Sequence, residues 1–489
     1  MPLILGAQSA TAAGAVITNS CRFNQPDDDE FTRTLGTPTD NDKWTLSVWV
    51  KRGNLGVFQC IADAASSGTT YTEIYFNTSD VLRWDERHSD VYVGLLVTDR
   101  VFRDTNAWYH IVFVYDSGNA SAGDRMKIYI NGTEETSFST DTNPTLDLSS
   151  PFNSAVAHSI GSASPEGATT GFWDGYMAEV VLIDGQALTP TSFGEFDSDS
   201  PTIWKPIAVS GLTFGDNGFY LDFEDSADLG ADVSGNSNDF TPVNIAAVDQ
   251  CKDNPTNNFC TMNYLFNDPG YAATFTLGNN VVNPASSRGV PGTMGFKTGK
   301  WYWEARATGV DIGNGIVSES AVNSSILYEN TYASGFDNYS GNRAYSYLGE
   351  LVATNILMAT DYTTDPFGNA AADGSKILGV AVDLDNNFLY WSVDGVWQNS
   401  SDPESGATGT GGIAVASYTG TPATGDVLWF PLVNTLGGNA CQLNFGNGQF
   451  GETAVVSSNS DGNDYGSFEF PVPSGYYALC TKNLGEFGG

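Results

Sequence analysis

The chain carries three imidazoles, His88, His110 and His158. His110 and His158 fall in apolar runs, where a hydrogen-bonded core ring is the ordinary role. His88 falls in RWDERHSD, which reads as a charged, solvated loop. Spacing sets no Ser or Cys nucleophile beside any of them. Cleavage of a glycan would use paired carboxylates, projecting from alternate strand positions into one cleft as nucleophile and acid. Asp383-Leu384-Asp385 has that spacing, but Asp385 falls where a hairpin turns. Glu179 and Asp184 are five positions apart, which puts them on opposite faces of a continuous strand. Glu304 stands alone among aromatics. No catalytic residue is expected, and the chain reads as a non-enzyme.

Binding chemistry has better candidates. Asp27, Asp28 and Asp29 make an acidic loop with Glu30, the kind of oxygen cluster that takes a hard cation such as Ca²⁺, although an Asp run is more often a solvated turn. No other cofactor is expected. Tyr328, Tyr332, Tyr339, Tyr345 and Tyr347 are interleaved with Asn323, Asn330, Asn338 and Asn342. A pyranose stacks its apolar face on such rings while amides take its hydroxyls. The ordinary alternative is a Tyr-rich turn region packed on the fold. The segment 320–347 is the expected contact surface, and the loop around Trp84 and Arg87 has similar chemistry.

The elements that must carry these residues are strands. Lys43 to Lys51 alternates, with Trp44, Leu46, Val48 and Val50 on one face. Tyr71 to Phe76 and Val81 to Trp84 read as a hairpin through Asn77-Thr78-Ser79-Asp80. Trp108 to Tyr115 and Arg125 to Ile130 end at Asn131-Gly132, a strong hairpin signal. Phe172 to Pro206 begins as an apolar strand, turns at Asp184-Gly185, and reads as the strand that closes a first sandwich. Ile377 to Val393 forms two strands around Asp385-Asn386-Asn387. No window has sustained helical periodicity. The fold class is all-β, with two tandem antiparallel β-sandwiches.

Composition narrows the partners. There are 57 acidic and 20 basic residues, a net charge of −37. Nucleic acid and anionic membranes are disfavoured, because phosphate binding needs clustered Lys and Arg. Six cysteines are scattered and fit no zinc spacing, so buried free thiols are expected. MPLILGAQSATAAGAV lacks the basic start and long apolar core of a secretory signal. The expected organisation is a docking segment at 1–17, sandwiches at 18–200 and 272–489, and a packed connector at 201–271.

The order KWTLSVWVKR, AWYHIVFVYD, RMKIYINGTEETSF, HSIGS, FWDGYMAEVVLIDGQALTPTSF resembles a laminin-G or pentraxin-type module, a concanavalin A-like jelly roll. DGQALTPTSFGEFD followed by WKP is similar to modules of bacteriophage tail and appendage proteins. GKWYWE, then GVAVDLDNNFLYWSVDGV, then NFG resembles a SPRY-type domain, with long inserts at 320–345 and 399–425 as departures. The resemblance implies a virion structural protein, a tail-fibre or appendage adhesin that binds a host receptor or glycan. Its expected partners are other virion proteins and copies of itself, and its expected location is the virion. A head-decoration or head-fibre protein and a surface glycan hydrolase are the alternatives.

Overall fold

The computed structural model describes residues 16–163, 170–209, 211–266, 273–284, 288–307, 312–319, 344–347, 376–415, 428–435 and 440–488. Two compact units part between Thr256 and Asn257. The first unit opens with β1 (Ser20–Phe23), β2 (Glu30–Thr34), β3 (Lys43–Arg52), β4 (Gln59–Ser67), β5 (Thr70–Phe76) and β6 (Val81–His88). It continues through β7 (Val91–Val101), β8 (Tyr109–Asp116), β9 (Met126–Ile130), β10 (Thr133–Glu134), β11 (Phe138–Thr142) and β12 (Ala157–Ile160). The remaining strands are β13 (Gly175–Asp184), β14 (Gly194–Phe196), β15 (Trp204–Pro206), β16 (Phe219–Leu221), β17 (Thr241–Val243) and β18 (Gln250–Cys251).

One sheet runs β10-β9-β8-β3-β13-β1-β18, with β16 also paired to β13. The other runs β11-β7-β6-β5-β4-β12-β2-β17. The alternation expected of β3 sends Trp44, Leu46, Val48 and Val50 into the core between them. There Trp44 stacks on Tyr115, with centroids 5.6 Å apart, and meets Trp84 at 5.2 Å. The Asn131-Gly132 turn forms with positive φ at both residues, 47° and 78°, as a tight hairpin between right-twisted strands requires.

The second face of the β3 sheet is also buried. Val112, Val114, Val181 and Ile183 pack under Leu188, Phe193, Val209, Leu212 and Phe214, so the segment from ALTPTSF to Phe214 forms an added apolar layer. His110 lies there as a satisfied core ring: Trp204 Nε1 donates to its Nδ1 at 2.9 Å, and its Nε2 sits 2.8 Å from Ser47 Oγ. Burial depresses its pKa to about 3. His158 is likewise buried, and burial takes its pKa down to about 4. All six cysteines are free and buried.

β13, the strand expected to close the first sandwich, lies between β3 and β1 in mid-sheet. Gly175 makes the fit possible: at φ 130° an added Cβ would stand 2.1 Å from the Lys51 carbonyl oxygen. Within the expected packed connector at 201–271, residues 201–256 supply β15 to β18, of which β16, β17 and β18 pair with β13, β2 and β1. Buried ion pairs tie the end of this stretch down, Arg22 to Asp249 at 3.0 Å and Lys51 to Asp253 at 2.7 Å. The expected docking segment lies outside the described residues up to residue 15, and Ile17 packs with Trp49, Ala178 and Trp204.

The second unit is a further antiparallel sandwich with its own core around Trp301, Trp303, Trp391 and Trp429. Its larger sheet centres on Lys300–Ala307, Ile377–Asp383 and Phe388–Val393, and a four-stranded sheet holds Arg288–Pro291, Trp429–Thr435, Ile312–Ser318 and Ala344–Tyr347. The hairpin at Asp385-Asn386-Asn387 forms, with Asn387 at φ 62°.

Candidate functional site

The best-developed polar constellation lies on the outer face of the β4–β7 sheet. β6 runs through RWDERH, the stretch read from sequence as a charged loop. A strand alternates its side chains, and here Trp84 and Glu86 go inward while Arg83, Asp85 and Arg87 go outward. Trp84 is part of the core, and Glu86 accepts from Thr72 Oγ1, Trp84 Nε1 and Ser150 Oγ at 3.0–3.2 Å. On β5, Ile74 and Phe76 enter the core, which leaves Tyr71, Glu73 and Tyr75 on the outer face. Register then pairs Tyr71 with Arg87, Glu73 with Asp85 and Tyr75 with Arg83. Asp63 of β4 stands opposite Glu73. Three carboxyl groups thus form a row across three strands.

An Arg–Tyr lattice overlies this row. The Arg83 guanidinium lies 5.6 Å from the Tyr75 ring and 5.2 Å from the Tyr92 ring. That of Arg87 lies 5.5 Å from Tyr71 and 5.3 Å from Tyr92. Arg83 Nε donates to Asp85 at 2.6 Å, and Arg87 Nη1 donates to the Tyr71 hydroxyl at 2.8 Å. Arg87 Nη2 pairs with Asp90 at 2.9 Å. Among the described residues, Arg83 Nη1 and Nη2 have no hydrogen-bond partner and remain able to donate to a ligand.

Electrostatics follow from the burial. Burial first, and then the neighbouring Asp63 and Asp85 carboxylates, push Glu73 up to about 8, so it is largely protonated at neutral pH. Burial also raises Asp85 against the opposing pull of Arg83. Glu73 is 7% exposed and Asp63 and Asp85 are 1% exposed, whereas Tyr92 is 41% exposed. Solvent therefore meets Tyr92 and the guanidinium edges, and the acids act from beneath as supports. The arrangement suits stacking and hydrogen-bond donation to a polyhydroxyl ligand more than acid–base attack on one.

The residues singled out from sequence fare differently. Tyr328, Tyr332, Tyr339, Asn323, Asn330, Asn338 and Asn342 lie outside the described residues. Tyr345 and Tyr347 lie on the strand Ala344–Tyr347, opposite Ile316 and Asn314. Trp84 is fully buried and belongs to the core, which removes it as a contact residue; Arg87 stays on the face. Asp27, Asp28 and Asp29 do not converge: Asp27 ends a short 3-10 turn, Asp28 is left-handed at φ 60°, and Asp29 accepts from Asn24 N at 2.8 Å. Among the described residues no three His, Cys, Asp or Glu side chains are grouped to hold a metal ion. Asp383 caps the 385–387 hairpin through Asn386 and pairs with Lys300 at 2.9 Å. Glu304 is buried, accepting from Tyr302 Oη, Glu469 N and Phe470 N at 2.8–3.0 Å.

Residues 27–192, the stretch that holds this face, match the laminin-G-type family of the concanavalin A-like lectin/glucanases superfamily. Within the first unit, residues 27–192 therefore form a domain of concanavalin A-like lectin/laminin-G type. No curated protein matches the chain. Among solved structures it is similar to a Bacteroides ovatus protein provisionally assigned to carbohydrate binding, at 14% identity and TM-score 0.34. That match covers 47% of this chain and 58% of the other, so the chain spans less than two thirds of that relative. Mouse laminin α1 domains LG4-5 match at 11% identity and TM-score 0.29, over 86% of this chain and 84% of theirs. The heptameric SAP-like pentraxin of Limulus polyphemus matches at 16% identity and TM-score 0.27, over 36% of this chain and 80% of its own.

Proposed function

We propose that the chain is a non-catalytic carbohydrate-binding protein whose contact face is Tyr92 with Arg83 and Arg87. The observation that carries this is the lattice itself: one exposed ring held between two guanidiniums, braced by buried carboxyl groups, on a lectin-type domain. Tyr92 offers a stacking surface and Arg83 offers unpartnered donors, the two elements that sugar recognition needs. Glycan-array binding of the full chain, compared with a Tyr92→Ala chain, tests it. Equal binding by the two would overturn the assignment of this face.

We further propose that it serves as a virion structural protein of a bacteriophage, a tail-fibre or appendage adhesin. Support comes from the DGQALTPTSFGEFD and WKP motifs and the SPRY-like motif order after residue 272. Its partners would be other virion proteins, copies of itself and a host receptor or glycan, and many copies on one particle would raise avidity. Locating the chain by imaging in an intact particle tests this; a position on the head would favour the head-decoration alternative. The hydrolase alternative draws on the Asp63–Glu73–Asp85 row, but these acids are covered. A fall in polysaccharide chain length on incubation with the protein would establish it.

A further inference from the structure

A second feature, on the outer face of the β13 sheet, is independent of the Tyr92 face. β13 has a bulge between Ala178 and Val181, and Glu179 occupies it at φ 51°. A residue with a Cβ adopts that left-handed geometry under strain, and such strain persists where the surroundings impose it, often at ligand sites. Glu179 opens onto a cleft of about 450 Å³ walled by Val16, Leu212, Phe214 and Val233, within the range of small-ligand pockets. The charged groups on its lining are Glu179 and Glu224, and among the described residues no Lys or Arg lines it. Val16 and Val233 are 67% and 49% exposed there, apolar surface that a ligand would cover.

We propose that this cleft binds an alkylammonium ion, the ammonium on the Glu179 carboxylate and the aliphatic body against Leu212, Phe214 and Val233. Tyr220 fixes the carboxylate, its hydroxyl donating to Glu179 Oε2 at 2.5 Å. Glu224, aligned by Thr18 Oγ1 at 3.0 Å, adds a second negative charge at the rim. Burial, opposed by the Tyr220 hydrogen bond and reinforced by Asp222 and Glu224, raises Glu179 to about 7. A bound cation would reverse that penalty, so binding releases a proton near neutrality. An alkylammonium matches the cleft in charge and in apolar body, whereas a carboxylate or phosphate would face two acids.

Calorimetric titration of the full chain with n-butylammonium chloride tests the proposal. The expected result is saturable binding at about pH 8 that weakens at least about tenfold at about pH 5.5, where Glu179 is protonated. Glu179→Gln should weaken it by a similar factor at the higher pH. Glu179→Gly should do the same while melting at the same or a higher temperature, because glycine accepts the positive φ without strain. Tighter binding of N-acetyl-lysine methylamide than of butylammonium would identify the ligand as a partner's lysine side chain, and the reverse a free amine. No saturable binding by the wild-type chain, or binding unchanged in both variants, would overturn the proposal.

Discussion

Glu73 and Glu86 lie on adjacent strands and on opposite sides of one sheet, yet burial does the same thing to both. Each has its pKa pushed up to about 8 from an ordinary value of 4.5. Between those values the unfolded chain has lost these protons and the native state has kept them. The stability they contribute is therefore fully present below about pH 4.5 and is lost as pH rises to about 8, with a slope of about 1.4 kcal/mol per pH unit for each group. Glu86→Gln, which mimics the protonated acid, should flatten that slope in pH-dependent denaturant melts; an unchanged profile would show that Glu86 is ionised in the fold. Tyr92→Ala belongs to the same scale. It should cost about 1 kcal/mol of stability or less, because the ring is 41% exposed and its contacts with Arg83 and Arg87 lie at the surface, and should weaken glycan binding at least about tenfold. Neither acid stands out in the sequence: Glu73 sits inside a run that reads as an ordinary strand, and Glu86 inside a run that reads as a charged loop.

At the scale of elements, β6 and β13 were only partly legible. The first four residues of β6 read as strand because Leu82 and Trp84 are apolar. The rest did not, because Asp85, Glu86, Arg87 and His88 resemble a solvated turn until their cross-strand partners are known. The register against β5 turns them into two faces, one in the core and one in the lattice. β13 was found, but its bulge at Glu179 was not, since nothing in GYMAEVVLID marks an extra residue. Its last residue, Asp184, was read as a turn acid and is a hub. It accepts from Thr39 N, Asp40 N, Asn217 N and Asn153 Nδ2 at 2.6–3.1 Å. Burial opposes its charge, but these donors together outweigh it and hold its pKa below the usual range. Asp184→Ala should cost about 3 kcal/mol by stranding several buried donors, seen as a lower denaturant midpoint; a change under about 0.5 kcal/mol would show that water replaces them.

For the whole molecule, the decisive feature is where the first sandwich ends. A chain cut at residue 200 keeps the motif order that resembles a laminin-G module but loses Asp249 and Asp253. Arg22 and Lys51 would then be buried without those counter-charges, at a cost of about 3–5 kcal/mol each, against a total stability of about 5–15 kcal/mol. A fragment of residues 11–200 should therefore show no cooperative melt by circular dichroism, and one of residues 11–256 should show one. A cooperative melt of the shorter fragment would mean that β16 to β18 are accessory. By itself the sequence determined the all-β class, the tandem sandwiches, most strand positions, the Asn131-Gly132 and 385–387 turns and the core role of His110. These depend on local alternation, turn geometry and apolar runs, which are written along the chain. The Arg83–Tyr92–Arg87 lattice, the Asp63–Glu73–Asp85 row, the Glu179 bulge and the anchoring of 201–256 were decided by tertiary structure. Each depends on which strands become neighbours and in what register, and burial then sets the charge state of the groups that meet there.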